Sequence, residues 1–148
     1  MKKVFIAIVF LGLLASCRKS KYETVPQVQI NSFGPQEVTK GQLFRLVATV
    51  TDKEGDIRDS SILIVRKVYL RTIVNTDTIR QKVNGLGFPT NDKLEFQVTF
   101  SYGEQIDNTI FQDYDDNEKS ISVGLIVVDN AGNRSNYAES EKILLKKL

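Results

Sequence analysis

The sequence has no histidine, no tryptophan and a single cysteine, Cys17, in 148 residues. Without histidine it lacks the commonest general base, the usual transition-metal ligand and every His-containing catalytic triad. One cysteine forms neither an intrachain disulfide nor a thiolate metal cluster. Charge of one sign is not in excess either. The formal net charge is +2, and without Lys2 and Lys3 the 18 remaining basic residues face 18 acidic ones. That balance leaves no electrostatic footprint for nucleic acid, so no nucleic acid partner is expected. No glycine-rich phosphate loop, nucleophile elbow or zinc-ligand spacing occurs. The one long apolar run, residues 4–14, is too short to cross ~30 Å of hydrocarbon as a helix.

What that run does have is an export context. Met1-Lys2-Lys3 is a cationic start, and Leu14-Ala15-Ser16-Cys17 closes the run with small residues, which together make a secretory signal. A leucine three residues before a cysteine resembles the lipobox of bacterial lipoproteins. The resemblance implies that Cys17 is lipidated and becomes the mature N-terminus; the alternative is an ordinary signal peptide with a chance cysteine. The chain then divides into a signal peptide (1–16), the lipidated cysteine with a tether (17–25) and one domain (26–148). The tether is polar and carries Arg18, Lys19 and Lys21. Its eight residues after Cys17 reach at most ~28 Å at ~3.5 Å each. Arg18 stands where an aspartate resembles an inner-membrane retention signal, which points to the outer membrane. Relatives on the cell surface often carry an acidic run there, and the basic run here favours the periplasmic face.

From Pro26 onward the apolar residues recur every second position. Val28 and Ile30 suggest an edge strand, and Phe44, Leu46, Ala48 and Val50 a strand with one buried face. Residues 62–74 begin apolar on both faces, as a central strand does, but Arg66, Lys67 and Arg71 interrupt the alternation and call for a bulge. Those three cations read as edge charges that discourage sheet-to-sheet aggregation. Asn75-Thr76-Asp77 reads as a hairpin turn, with 78–83 returning. Leu94, Phe96, Val98 and Phe100 give the clearest amphipathic strand. Residues 121–128 form another, in which Gly124 allows close approach of a neighbour. Residues 137–148 return as the last strand, although 140–148 also suits an amphipathic helix.

Seven strands, short turns and one apolar face per strand predict an all-β sandwich of two sheets. The phrases Ala48-Thr49-Val50-Thr51-Asp52-Lys53-Glu54-Gly55-Asp56 and Val127-Val128-Asp129-Asn130-Ala131-Gly132-Asn133 resemble the B-strand end and F–G turn of bacterial Ig-like repeats. With the lipobox, the chain resembles the small Bacteroidota-type lipoproteins that carry a single Ig-like or fibronectin type III-like domain. The resemblance implies a fold and an address rather than a reaction.

Three constellations are candidates for chemistry. The predicted topology brings the B–C and F–G loops to one pole, where Asp52, Glu54, Asp56, Asp129, Asn130 and Asn133 offer oxygen ligands of the kind Ca²⁺ takes. The same residues are ordinary turn formers, and the turn reading leads. Residues 102–118 make a long E–F connection. There Phe111, Asp113, Tyr114, Asp115 and Asp116 combine aromatic faces with carboxylates, a ligand surface suited to glycan. The leading alternative is a short helix through Ile106, Ile110 and Tyr114 that caps the core. These adjacent acids have no partner across a cleft, as a glycosidase needs, so no catalytic residue is assigned. Asp77-Thr78-Ile79 resembles the Asp-Ser/Thr-aliphatic site of O-glycosylation in Bacteroidota, which makes Thr78 a modification candidate. The expected function is a membrane-anchored, non-enzymatic binding or scaffolding module for an envelope protein or glycan. A carbohydrate-binding accessory of a glycan-uptake system is the alternative, and a glycan hydrolase comes third.

Overall fold

The computed structural model describes residues 22–55, 57, 61–71, 73–82, 92–103, 110–112 and 118–146; for Ile73 and residues 110–112 only the backbone is described. Alternating side chains make strands throughout: β1 (Gln27–Gly34), β2 (Glu37–Thr39), β3 (Leu43–Thr51), β4 (Ser61–Leu70), β5 (Ile73–Lys82), β6 (Lys93–Gly103), β7 (Ile110–Gln112), β8 (Lys119–Val128), β9 (Ala138–Glu139) and β10 (Ile143–Lys146). One sheet runs β1-β3-β6-β7 and the other β2-β10-β8-β4-β5, with β9 also paired to β8. In Ig-like lettering β1, β3 and β6 are strands A, B and E, and β10, β8, β4 and β5 are G, F, C and C′. The seven expected strands are joined by three short ones, β2, β7 and β9. The architecture is an all-β, Ig-like sandwich.

The core lies between the sheets. Phe44, Leu46, Ala48 and Val50 of β3 face Ile121, Val123, Leu125 and Val127 of β8, none more than 1% exposed. Phe44 and Phe100 stack at 5.5 Å between ring centroids, and Phe33 meets both edge-on. Such offset and T-shaped contacts suit the aromatic quadrupole. As expected, β1 is an edge strand and β4 a central one, flanked by β5 and β8.

Five local expectations are corrected. The β4–β5 hairpin turns between Leu70 and Ile73, because the ladder runs unbroken from Ser61↔Lys82 to Leu70↔Ile73. Asn75-Thr76-Asp77 is therefore strand. The cross-strand pairs Ile64↔Ile79 and Arg66↔Asp77 set this register, outweighing local turn propensity, and Arg71 takes the left-handed conformation the tight turn needs (φ 53°). β4 also needs no bulge, since it keeps register with β8 as well; the irregularity lies in β1, between Ile30 and Ser32. Arg66 and Lys67 are not edge charges. Each has an acidic partner, Asp77 and Glu139 respectively. The E–F connection starts later than expected, because Tyr102 is core, 1% exposed. Ile110 lies in a strand rather than a helix, β7 pairing parallel to the end of β6. Extended pairing there satisfies backbone groups that a helix would leave open on β6. The last segment is extended rather than helical, but as two short strands, β9 and β10, separated by residues 140–142, instead of one strand over 137–148; Ile143 and Leu145 are buried in alternation.

Candidate functional site

Because successive side chains point to opposite faces, the burial of Ile62 and Ile64 sends Leu63, Val65, Lys67 and Tyr69 to the outer face of the second sheet. By the same rule Ser122 and Gly124 of β8 face outward, between the core residues Ile121, Val123 and Leu125. Gly124 is opposite Glu139 in register, so Glu139 and Tyr137 share this face. A Cβ on Gly124 would collide with two ring carbons and the hydroxyl oxygen of Tyr137. Glycine is what lets the ring lie down on the strand, the close approach its position suggested.

Glu139 is the hub of this face. Its Oε2 accepts from Lys67 Nζ at 2.6 Å and from the Tyr137 hydroxyl at 3.0 Å. Its Oε1 accepts from Ser122 Oγ at 2.6 Å and from the Tyr69 hydroxyl at 3.3 Å. Lys67 Nζ also stands 5.3 Å from the Tyr137 ring centroid, and Lys142 Nζ 3.6 Å from that of Tyr69, both within cation–π range. Partial burial opposes ionisation of Glu139. The hydrogen bonds from Lys67, Ser122 and Tyr137 outweigh it, holding the carboxyl down to about 2. The hydrogen bond to Glu139 keeps Lys67 well above the ordinary lysine range. Desolvation raises the Tyr137 phenol. A carboxylate this acidic is a poor base, and an ammonium this stabilised is a poor nucleophile. What the cluster presents chemically is a fixed ion pair with an aromatic ring held beside it.

The residues anticipated from sequence fall elsewhere. Asp129 serves its own turn, with Oδ1 accepting from Asn133 N at 2.7 Å and Oδ2 from Asn133 Nδ2 at 2.8 Å. Gly132, at φ 90°, completes that turn. Asp52 is buried, whereas Glu54 and Asn130 are exposed, and Asp56 lies outside the described residues. Among the described residues no three acidic, histidine or cysteine side chains gather around a metal position. Of the proposed glycan surface, Phe111 is placed only as β7 backbone, and Asp113, Tyr114, Asp115 and Asp116 lie outside the described residues, as do Cys17 and the signal peptide. Thr78 is exposed in the middle of β5, not at a hairpin tip. No helix among the described residues is long and apolar enough to cross a membrane.

The Glu139 cluster escaped sequence reasoning because its members come from three strands. The available signal was a small residue, Gly124, in a strand whose return partner begins with a tyrosine. Asn136 escaped it as well. Its amide accepts from Val28 N at 2.8 Å and donates to Val28 O at 3.0 Å, sealing the outer edge of β1 as a strand would.

No protein-family model and no curated protein matches the sequence. Among solved structures, the chain is similar to the sporulation control protein Spo0M from Bacillus subtilis, at 16% identity and a TM-score of 0.48. That match covers 84% of this chain and 50% of that one, so the chain spans half the length of Spo0M. A superoxide reductase (neelaredoxin) from Ignicoccus hospitalis matches at 13% identity and a TM-score of 0.45, covering 81% and 80% of the two chains. A cohesin module of a Clostridium perfringens family 33 glycoside hydrolase matches at 14% and 0.44, covering 84% and 99%. None of these carries an activity or a partner over to this chain.

Proposed function

We propose that the chain is a non-enzymatic binding or scaffolding module of a bacterial cell envelope, held through lipid on Cys17 at the periplasmic face of the outer membrane. Its recognition surface is the outer face of the sheet containing β4, β8 and β9. The observation that carries this reading is Tyr137, which stays 42% exposed although its ring is fixed on Gly124 and its hydroxyl on Glu139. A large aromatic held in place before binding loses little side-chain entropy when a partner covers it. Glu139 and Lys67 both hold their charges far from neutrality, which supports binding over acid–base turnover.

The test is a photo-crosslinking residue at position 137 in cells that express the full chain. A discrete crosslinked envelope component, lost when Lys142 is also replaced by alanine, supports the reading; crosslinks no more frequent than from the opposite sheet at Thr49 refute it. The glycan-uptake alternative draws on the same exposed ring, since aromatic faces stack on sugars. Competition of the crosslink by free oligosaccharide would favour it. Cys17→Ser tests the anchor separately, by loss of the lipid mass and of flotation with membranes.

A further inference from the structure

The sheet edges of this domain are not treated alike. The edge of β1 is sealed at Val28 by the Asn136 amide, and β2 and β7 are three-residue strands. β5 is different. It is ten residues long, carries no proline, keeps unbroken register with β4, and pairs with no other strand among the described residues. Its sequence, Ile73-Val74-Asn75-Thr76-Asp77-Thr78-Ile79-Arg80-Gln81-Lys82, is rich in β-branched residues. Residues 74–78 are all exposed, Val74 at 49%. Natural sheets blunt such an edge with inward charges or cations, because a bare edge templates further pairing. The inward charge here, Asp77, is neutralised by Arg66. What remains is cationic: Arg80 and Lys82 lie opposite Leu63 and Ser61, on the outer face that Lys67 and Tyr69 share.

Inside this edge, between β5 and β6, an open groove of about 270 Å³ is lined by the apolar Ile62, Phe96 and Val98 and by the polar Gln81, Lys82, Gln97 and Thr99. A strand added to β5 sends alternate side chains to opposite faces. One set would reach Ile62, Phe96 and Val98 in the groove, and the other would lie on the outer face beside Arg80, with Lys82 bordering the groove as well.

We infer that β5 accepts an extended segment of a partner protein in which acidic and apolar residues alternate, joined by main-chain hydrogen bonds in the manner of β-strand addition. This deepens the binding-module reading and rests on it. The cations select the partner. An acidic strand gains two cross-strand ion pairs, whereas a second copy of β5 brings like charges to the same junction.

The test is amide hydrogen exchange of the full chain, with and without a synthetic peptide of alternating glutamate and valine. New protection confined to residues 74–82 is expected. Arg80→Gln with Lys82→Gln should weaken peptide affinity about tenfold, from two cross-strand pairs each worth up to about fivefold. Arg80→Glu with Lys82→Glu should switch preference to a lysine–valine peptide. Either variant sits on an exposed strand and leaves the core intact, and unchanged far-UV circular dichroism checks this. Three outcomes overturn the inference: no new protection in 74–82, protection indifferent to peptide charge, or protection in the free chain of those β5 amides that point away from β4. In the last case a second copy is recognised by concentration-dependent mass in sedimentation. Crosslinking through Tyr137 that persists in variants lacking Arg80 and Lys82 would retain the binding module and discard the β5 edge.

Discussion

At the scale of single residues, Gly124 and Glu139 decide the character of the outer face. Gly124→Ala puts a methyl group where the Tyr137 ring lies, so the ring must leave, losing its hydrogen bond to Glu139 and its contact with Lys67. A cost of about 1–3 kcal/mol in denaturant unfolding is expected, as for other overpacked sites. In a Tyr137→Ala background the same substitution should cost little or even stabilise, since alanine is the better strand residue once the obstacle is gone. Glu139 makes a pH prediction. Its carboxyl titrates at about 2 when folded, against an ordinary value of 4.5. Its contribution is therefore complete above about pH 4.5 and disappears as the pH falls through about 2. With 28% of the side chain exposed, screening reduces that contribution to about 1–2 kcal/mol. Wild type should lose this much more stability than Glu139→Gln between pH 5 and 2, measured as the difference between two urea titrations.

At the scale of elements, the sequence was most readable where one face of a strand is apolar. The alternations in β3, β6 and β8 place the core correctly because burial enforces a period of two. Pairing was harder to read. The hairpin was misplaced because Asn75-Thr76-Asp77 has turn propensity, while the residues that actually set its register, Ile64 with Ile79 and Arg66 with Asp77, are cross-strand partners invisible to a local window. The Glu139 cluster was illegible for the same reason. Gly124 marks a place of close approach, but nothing in one strand names the ring that lies on it. Asn136 is the clearest case of a long-range role, 108 residues from the strand it seals. Asn136→Ala removes both hydrogen bonds to Val28 and should cost about 1–2 kcal/mol. The distinguishing measurement is hydrogen exchange: the Val28 amide should lose protection while β8 keeps its own.

At the scale of the whole molecule, register and connectivity fix which end of the sandwich meets the tether. β3 ends at Thr51, β4 begins at Ser61 opposite Val128, and the B–C and F–G connections therefore share one pole. The chain enters at that same pole, where Lys53 N donates to Glu23 O at 2.9 Å. If lipid is attached at Cys17, the eight residues of 18–25 keep this pole within ~28 Å of the bilayer. The loops that serve recognition in antibody variable domains lie at the equivalent end; under the proposed anchoring that end would be turned toward the membrane, and it is occupied by turn chemistry such as the Asp129–Asn133 pair. Under that proposal recognition would fall to the sheet faces and edges, which is where Tyr137 and β5 are found. The orientation is measurable with single cysteines in membranes of cells expressing the full chain. At Arg71, the exposed turn of the far pole, a cysteine should react freely with a bulky maleimide polymer. At Asn130, exposed in the near-pole turn, it should react several-fold more slowly, and the difference should vanish when Cys17→Ser releases the domain. Equal rates at the two positions in the anchored chain would mean that the domain does not stand on this pole.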